Sequence, residues 1–260
     1  MINKIFILHN KKIEGIETRK LSLEKMLKSC GKEVQSSSKN VDLIITMGGD
    51  GTLLKGVHLL ENNKTLIYGI KYGKVGFLTN SPQDSETKIR KILRGNYVVT
   101  ERMLLGVTVV RNGRIVLKDF CLNEAFINKH GIRIMDINVA GRRETIFKTR
   151  GDGLIVATPT GSTAHSFSAM GPVLDPEMKC FLIIPVCPHT LSWRPVILRD
   201  SEIISIEILQ DALLVIDGQN EFSLENRDTV VVRKSARTAK TIMDEKFLFR
   251  NLQSKFNWSV

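Results

Sequence analysis

The chain has 260 residues, of which 42% are hydrophobic and 25% charged, a globular composition rather than that of a disordered chain. Thirty-eight Lys and Arg against 27 Asp and Glu leave a net charge of +11, which suits anionic partners such as nucleotides, polyphosphate or nucleic acid without choosing among them, because the cations are scattered. No apolar run approaches the ~18 residues of a membrane span, and the short apolar run before His9 is not a signal peptide.

Residues 5–8 read as a short apolar strand. Leu23, Met26, Leu27 and Cys30 recur at i, i+3, i+4 and i+7, the stripe of an amphipathic helix that stops at Gly31. Residues 41–47 form a second apolar strand, which runs into Gly48-Gly49-Asp50-Gly51-Thr52, and 53–60 read as the next helix. A third strand covers 66–70. Ser81-Pro82 predicts a helix start, Ser as N-cap and Pro in the first turn, with Ile89, Ile92 and Leu93 on its buried face. Strands alternating with helices imply a parallel sheet covered by helices.

The pattern changes near Gly95-Asn96, and short β-runs dominate to about residue 235. Runs 104–110 and 115–120 flank Asn112-Gly113, a strong hairpin signal; runs 132–139 and 144–148 flank Gly141. Runs 203–209, 213–216 and 229–233 follow, with Asp217-Gly218 as a further turn. Residues 246–255 return to helical character and are expected to pack on the first domain. The expected fold class is α/β plus all-β. A Rossmann-like α/β domain spans 1–95 and takes back 236–260, and a β-sandwich-like domain spans 96–235. The cysteines at 30, 121, 180 and 187 have no CxxC spacing and read as free thiols in a reducing cytoplasm. The five histidines are isolated, which argues against a transition metal held by the protein.

Chemistry concentrates at three places. Gly48-Gly49-Asp50-Gly51-Thr52-Leu53-Leu54-Lys55 follows a buried strand and opens a helix. Backbone amides there suit a phosphate, yet a carboxylate in a phosphate cradle calls for a second task, such as taking a proton. A plain strand–helix turn with Asp50 as N-cap is the competing account. Gly151-Asp152-Gly153 is followed by a strand and then by Thr158-Pro159-Thr160-Gly161-Ser162-Thr163-Ala164-His165-Ser166. Hydroxyls and free amides in that segment can bind phosphate, ribose or an adenine edge, but capping and turn chemistry use them equally well. Asn123-Glu124 sits among apolar residues in a predicted strand, where a polar pair needs a partner or a ligand.

Together these residues resemble the NAD kinase family. Gly48-Gly49-Asp50-Gly51-Thr52 is similar to a motif of the wider superfamily, which includes lipid kinases and 6-phosphofructokinases. The resemblance narrows through Asn123-Glu124, Gly151-Asp152-Gly153, the Thr158 to Ala164 segment, Pro185-Val186-Cys187-Pro188-His189-Thr190-Leu191, Arg194-Pro195, Gly69, Gly76-Phe77-Leu78-Thr79 and Asp217-Gly218-Gln219. It implies transfer of the terminal phosphoryl of ATP, or of polyphosphate, to the 2′-hydroxyl of the adenosine ribose of NAD, with Mg²⁺ or another divalent cation accompanying the nucleotide and no metal held by the protein alone. It also implies an NAD site in the cleft between two domains, a homodimer or homotetramer in which a neighbouring subunit contributes to that site, a cytoplasmic location, and no nucleic-acid or membrane partner.

The same resemblance implies roles. Asp50 is the general base or orienter of the ribose 2′-hydroxyl; Gly48, Gly49, Gly51 and Thr52 form the phosphate-donor loop; Lys55 stabilises the transferring phosphoryl or the dinucleotide phosphates, and Asp50, Gly51 and Lys55 also contact NAD. Asn123 and Glu124 hold the adenine or ribose, Asp152 with Arg150 contacts the nicotinamide end, Thr163, Ala164, His165, Ser166 and Ser168 line the pocket, and Gln219 closes it. His165 stands where many members have Tyr, and Lys71-Tyr72 where many have Asn-Thr. A lipid kinase of the superfamily and a catalytically silent dinucleotide or nucleic-acid binding module are the alternatives.

Overall fold

A computed structural model describes residues 2–72, 76–190, 193–243 and 252–253. The chain divides into one unit of Met1–Glu101 with Ala239–Val260 and a second of Arg102–Thr238.

In the first unit the elements are β1 (Lys4–His9), α1 (Ile16–Ser29), β2 (Glu33–Gln35), β3 (Leu43–Gly48), α2 (Asp50–His58), β4 (Leu66–Lys71) and α3 (Ser85–Leu93). The strands lie in the order β2-β1-β3-β4, all parallel. Residues 240–242 add parallel to β4. Every position of β3 is buried, which is why its sequence is apolar on both faces, interrupted only by the buried Thr46, rather than alternating. Leu23, Met26 and Leu27 of the predicted stripe are buried together with Ile16, while Cys30 caps the helix end half-buried. Gly31 follows at φ +70°, the left-handed conformation that ends helices cheaply only in glycine. Asn80 Nδ2 donates to the carbonyls of Gly69 and Ile242, tying the last strand to β4.

The expected start of α3 is corrected. The helix begins at Ser85, after Asp84 at φ 56°. Ser81 Oγ accepts the Gln83 N–H, and the Ser85 N–H donates to the Pro82 carbonyl. Ser-Pro therefore builds a turn ahead of the helix, an alternative that serine offers the backbone as readily as a cap. Ile89 and Ile92 are buried as expected, and Leu93 is half-buried.

In the second unit the strands are β5 (Val99–Arg111), β6 (Arg114–Cys121), β7 (Glu124–Lys129), β8 (Met135–Ala140), β9 (Thr145–Gly151), β10 (Gly153–Ala157), β11 (Cys180–Val186), β12 (Val196–Arg199), β13 (Ile203–Ile208), β14 (Ala212–Ile216), β15 (Asn220–Leu224) and β16 (Thr229–Ile242). Between β10 and β11 lie a 3₁₀ turn, Thr160–Thr163, and α4 (His165–Ser168). One sheet runs β12-β11-β10-β7-β14-β15, antiparallel throughout. The other runs β6-β5-β16-β13-β8-β9. Ile127, Val156, Phe181 and Leu214 of the first sheet share a buried cluster with Val107, Ile137, Ile206 and Val232 of the second, the face-to-face packing of a sandwich.

The first sheet is also covered on its other face, where Ile155, Ala157, Leu182 and Ile184 pack with Leu174 and Ala169. Burial on both faces accounts for the unbroken apolar runs of β10 and β11. Asn112 and Gly113 turn the β5–β6 hairpin at φ 49° and 74°, as Asn-Gly predicts. The predicted strand 132–139 starts only at Met135; Gly131 sits at φ 81° and Ile132 is 95% exposed. The predicted strand 229–233 runs on to Ile242. Of the expected C-terminal helix, Leu252 and Gln253 are helical and Leu252 is buried; 246–251 and 254–255 lie outside the described residues.

Candidate active site

In the first unit, β3 carries the chain into the glycine turn. A Cβ on Gly48 would lie 2.1 Å from Thr52 Oγ1, so only glycine lets α2 start this close to its strand. Asp50 is the first residue of α2. It does not act as the N-cap, because that position is Gly49 and no side chain caps it. Instead its carboxylate accepts three hydrogen bonds from one loop. The Phe77 N–H donates to Oδ2, and the Leu78 N–H (3.0 Å) and Thr79 hydroxyl (3.1 Å) donate to Oδ1. A Cβ on Gly76 would fall 2.0 Å from Thr79 Oγ1 and 2.9 Å from Asp50 Oδ1. Gly76 is thus what allows the loop to close on the carboxylate. Gly51 and Lys55 are exposed and Thr52 is buried. The departure at Tyr72 is absorbed locally: its N–H donates to the Gly48 carbonyl and the Arg19 guanidinium stacks 4.9 Å from its ring centroid.

In the second unit, Glu124 pairs with Ala157 and Ala125 with Ile216. The start of β7 and the ends of β10 and β14 therefore meet at one end of the sheet. Asp217, in the turn after β14 and 3% exposed, accepts the N–H groups of Leu122 (2.8 Å), Asn123 (2.7 Å) and Glu124 (3.2 Å). In the sequence Asp217 stood out as a turn residue and as part of the Asp217-Gly218-Gln219 motif, with no role of its own. Its buried carboxylate is the group that holds the Asn123-Glu124 pair in place. Gln219, half-buried, follows in the same turn.

Glu124 is 6% exposed, and among the described residues its Oε2 has no hydrogen-bond partner. Burial, and then the charge of Asp217, push its carboxyl up to about 8 against the opposing backbone N–H of His165. In the folded chain Glu124 thus keeps its proton up to about pH 8, whereas in the unfolded chain it loses it near the ordinary glutamate value of 4.5. The folded state binds the extra proton between those values, so this group's contribution to stability falls as pH rises through that window and levels off above it. Glu124→Gln should flatten that decline, read as the difference in Tm between pH 5 and pH 9. An unchanged pH dependence would mean that Glu124 titrates normally.

The Ser and Thr segment divides in two. Thr158 Oγ1 donates to the Leu122 carbonyl (2.6 Å) and accepts the Gly161 N–H (3.0 Å). Ser162 Oγ donates to the Pro159 carbonyl (2.7 Å) and accepts the Leu174 N–H (3.0 Å). Ser166 Oγ donates to the Gly161 carbonyl (2.8 Å). All three side chains are fully buried. Ser166, expected to line the pocket, has its hydroxyl turned inward by the turn it closes. Thr163 and Ala164 are half-buried, while His165 and Ser168 are exposed. The His165 ring stands edge-on to Phe126, with centroids 4.7 Å apart. Gly161 touches the base of the cluster, since a Cβ there would lie 2.2 Å from the Asn123 carbonyl oxygen.

Asp152 and Arg150 are not part of this cluster. Gly153 pairs with Asn128 at the far end of β7, about 13 Å from Glu124 at a rise of ~3.3 Å per residue. Asp152 Oδ1 there lies 2.6 Å from Lys129 Nζ, and Arg150 Nε lies 2.9 Å from Asp136 Oδ1. Gly151 and Gly153 are required by close approach, with a Cβ falling 2.8 Å from the Val186 oxygen and 2.4 Å from the Ile127 oxygen.

Residues 5–97 match the ATP-NAD kinase N-terminal domain and residues 122–243 the ATP-NAD kinase C-terminal domain. An NAD kinase of Geobacter sulfurreducens is 38% identical over 84% of this chain and 78% of its own length. One of Methanothermobacter thermautotrophicus is 36% identical over 95% of this chain and 87% of its own. The chain belongs to the NAD kinase family. Two solved structures of NAD or NADH kinases share its fold. A yeast NADH kinase complexed with NADH superposes with a TM-score of 0.93 at 21% identity, covering 99% of this chain and 88% of the other. An NAD kinase from Archaeoglobus fulgidus in complex with ATP gives 0.81 at 29% identity, covering 98% of each. Membership in the NAD kinase family makes the chain a phosphotransferase and decides against the lipid-kinase alternative. Within the NAD kinase domains, Asp50 and its loop fall in the N-terminal match, and Asn123, Glu124, Asp152, His165 and Asp217 in the C-terminal one.

Proposed function

We propose that the chain transfers the terminal phosphoryl of ATP to the 2′-hydroxyl of the adenosine ribose of NAD, giving NADP, with Asp50 as general base. The observation that supports this most is the Asp50 carboxylate, fixed at the start of α2 by three donors from residues 77–79. A ribose hydroxyl is a poor nucleophile, and an oriented carboxylate can accept its proton as the phosphoryl transfers. Gly48, Gly49 and Gly51 admit the donor phosphates to the backbone, with Thr52 beside them, and Lys55 offsets phosphate charge. A magnesium ion arriving with ATP would offset the charge on the phosphate oxygens during transfer. Thr163, Ala164, His165, Ser168 and Gln219 line the dinucleotide pocket around Asn123 and Glu124.

Asp152 and Arg150 stand at the opposite end of β7 from that pocket, which supports a homo-oligomer in which they serve the site of a neighbouring copy. The reading is of a cytoplasmic enzyme; no helix among the described residues is long and apolar enough to cross a membrane.

Purified protein with NAD, Mg²⁺ and ATP should form NADP, detected through an NADP-specific dehydrogenase. A second set of wells with polyphosphate defines the donor range. Folded protein that binds NAD but makes no NADP from either donor would overturn the proposal. Co-expression of Asp152→Ala with Glu124→Ala tests the shared site. Each variant alone should be weak, and random mixing of the two should recover activity in about a quarter of all sites, one site of each mixed pair. No recovery would place Asp152 outside the partner's site.

A further inference from the structure

Two buried carboxyls meet at the base of the unit-two cluster, and their surroundings differ. Asp217 faces three backbone N–H groups, those of Leu122, Asn123 and Glu124. Glu124 receives one, from His165, and its Oε2 is buried without a partner among the described residues. The other titratable groups around Glu124 do not offset its charge. Cys121, at the end of β6, is a fully buried thiol raised by burial and by the charges of Asp217, Glu124 and Asp119. The His165 ring is turned against Phe126. Among the described residues Glu124 has no ion-pair partner, and Lys129 is paired with Asp152 at the far end of β7. Two adjacent buried carboxyls do not both ionise easily, and the one facing more donors keeps the charge.

We infer that Glu124 meets the dinucleotide as a carboxylic acid, giving its O–H to a hydrogen-bond acceptor on the ligand, and that Asp217 is the positioning residue that keeps the proton there. This rests on the reading of the cluster as the NAD pocket. The orphaned Oε2 is where that O–H is presented. The acceptor class includes the ring nitrogens of adenine and excludes groups that can only donate. An ionised glutamate would select the reverse, a ligand N–H or O–H, so the proton on Glu124 decides which edge of the ligand the pocket accepts. The upward push on Glu124 to about 8 by burial and by Asp217 agrees with this arrangement.

The test is calorimetric titration of NAD into the full chain at pH 7 and pH 9. The acid form falls from most of the molecules to about a tenth, so the Kd should weaken roughly tenfold. Glu124→Gln, which keeps a donor that cannot ionise, should show a flat profile and bind several-fold more tightly than Glu124→Ala at pH 7. Asp217→Asn should move the midpoint of the Kd–pH profile to lower pH, a shift that a merely structural role would not produce. Should that variant fail to fold, the Glu124 profiles still decide. Affinity that is flat or rises with pH in the wild type, or a Gln variant no better than Ala, overturns the inference alone. Absence of NAD binding at both pH values overturns the NAD pocket and the inference together.

Discussion

Asp50→Asn should lower kcat by about 10²–10⁴, the usual contribution of a positioned general base, while the Kd for NAD stays within several-fold. The substitution preserves size but removes two things. An amide cannot take the ribose proton. It also has a single acceptor oxygen where the carboxylate serves Phe77, Leu78 and Thr79, and its NH₂ would face a backbone N–H. The loop at 76–79 would therefore loosen as the base is lost. Thr79→Val separates the effects, because it removes only the hydroxyl donor and leaves the carboxylate ionisable. It should cost about tenfold in kcat, below the Asp50→Asn loss, since one hydroxyl donor to a carboxylate contributes on the order of 1.5 kcal/mol. Steady-state kinetics with calorimetric NAD binding checks both. A near-wild-type rate for Asp50→Asn would show that Asp50 is not the base. A Thr79→Val defect as large as that of Asp50→Asn would mean that loop geometry, rather than proton transfer, limits the rate.

Gly161→Ala should be among the most damaging single-methyl additions in the second unit. The new Cβ would stand 2.2 Å from the Asn123 oxygen, 2.6 Å from its carbonyl carbon and 2.8 Å from its Cα. All three are backbone atoms, and they lead into β7, which is paired on both sides by β10 and β14. The strand cannot yield, so the 3₁₀ turn must move. That movement pulls on the Thr158–Gly161 and Ser166–Gly161 hydrogen bonds and on the His165 N–H facing Glu124. Overpacking against fixed backbone costs about 3 kcal/mol or more, about 6–12 °C in Tm at this size, and NAD affinity should fall with it. Gly141→Ala is the control: its Cβ would meet nothing closer than 3.6 Å, and it should stay within about 0.5 kcal/mol of wild type. Matched melting curves for the two variants would refute the packing argument.

What was legible in the sequence was local. The stripe of α1 records which side of one helix is covered, and the helix period is written within four residues of each position. Asn112-Gly113 names its own turn, because both residues must take positive φ. The glycine turn around Asp50 announces close backbone approach through composition alone. Those features identified an α/β unit followed by a β-sandwich, and they placed the candidate base.

The rest depended on register between distant segments. Asp217 grips Asn123 across a separation of 94 residues, and only the pairing of β14 with β7 brings them together. Ser166 looks like its exposed neighbours in sequence, yet the turn rotates its hydroxyl onto the Gly161 carbonyl. Asp152 lies in a motif that continues directly into the Thr158 segment, but β10 separates them by the length of the sheet. The upward push on the Glu124 carboxyl follows from the same cause: burial and a neighbouring carboxylate set it, and both are properties of the packed sheet rather than of any short stretch of chain. Local sequence states what a residue is able to do, whereas the folded neighbours decide which of its atoms remain free to do it.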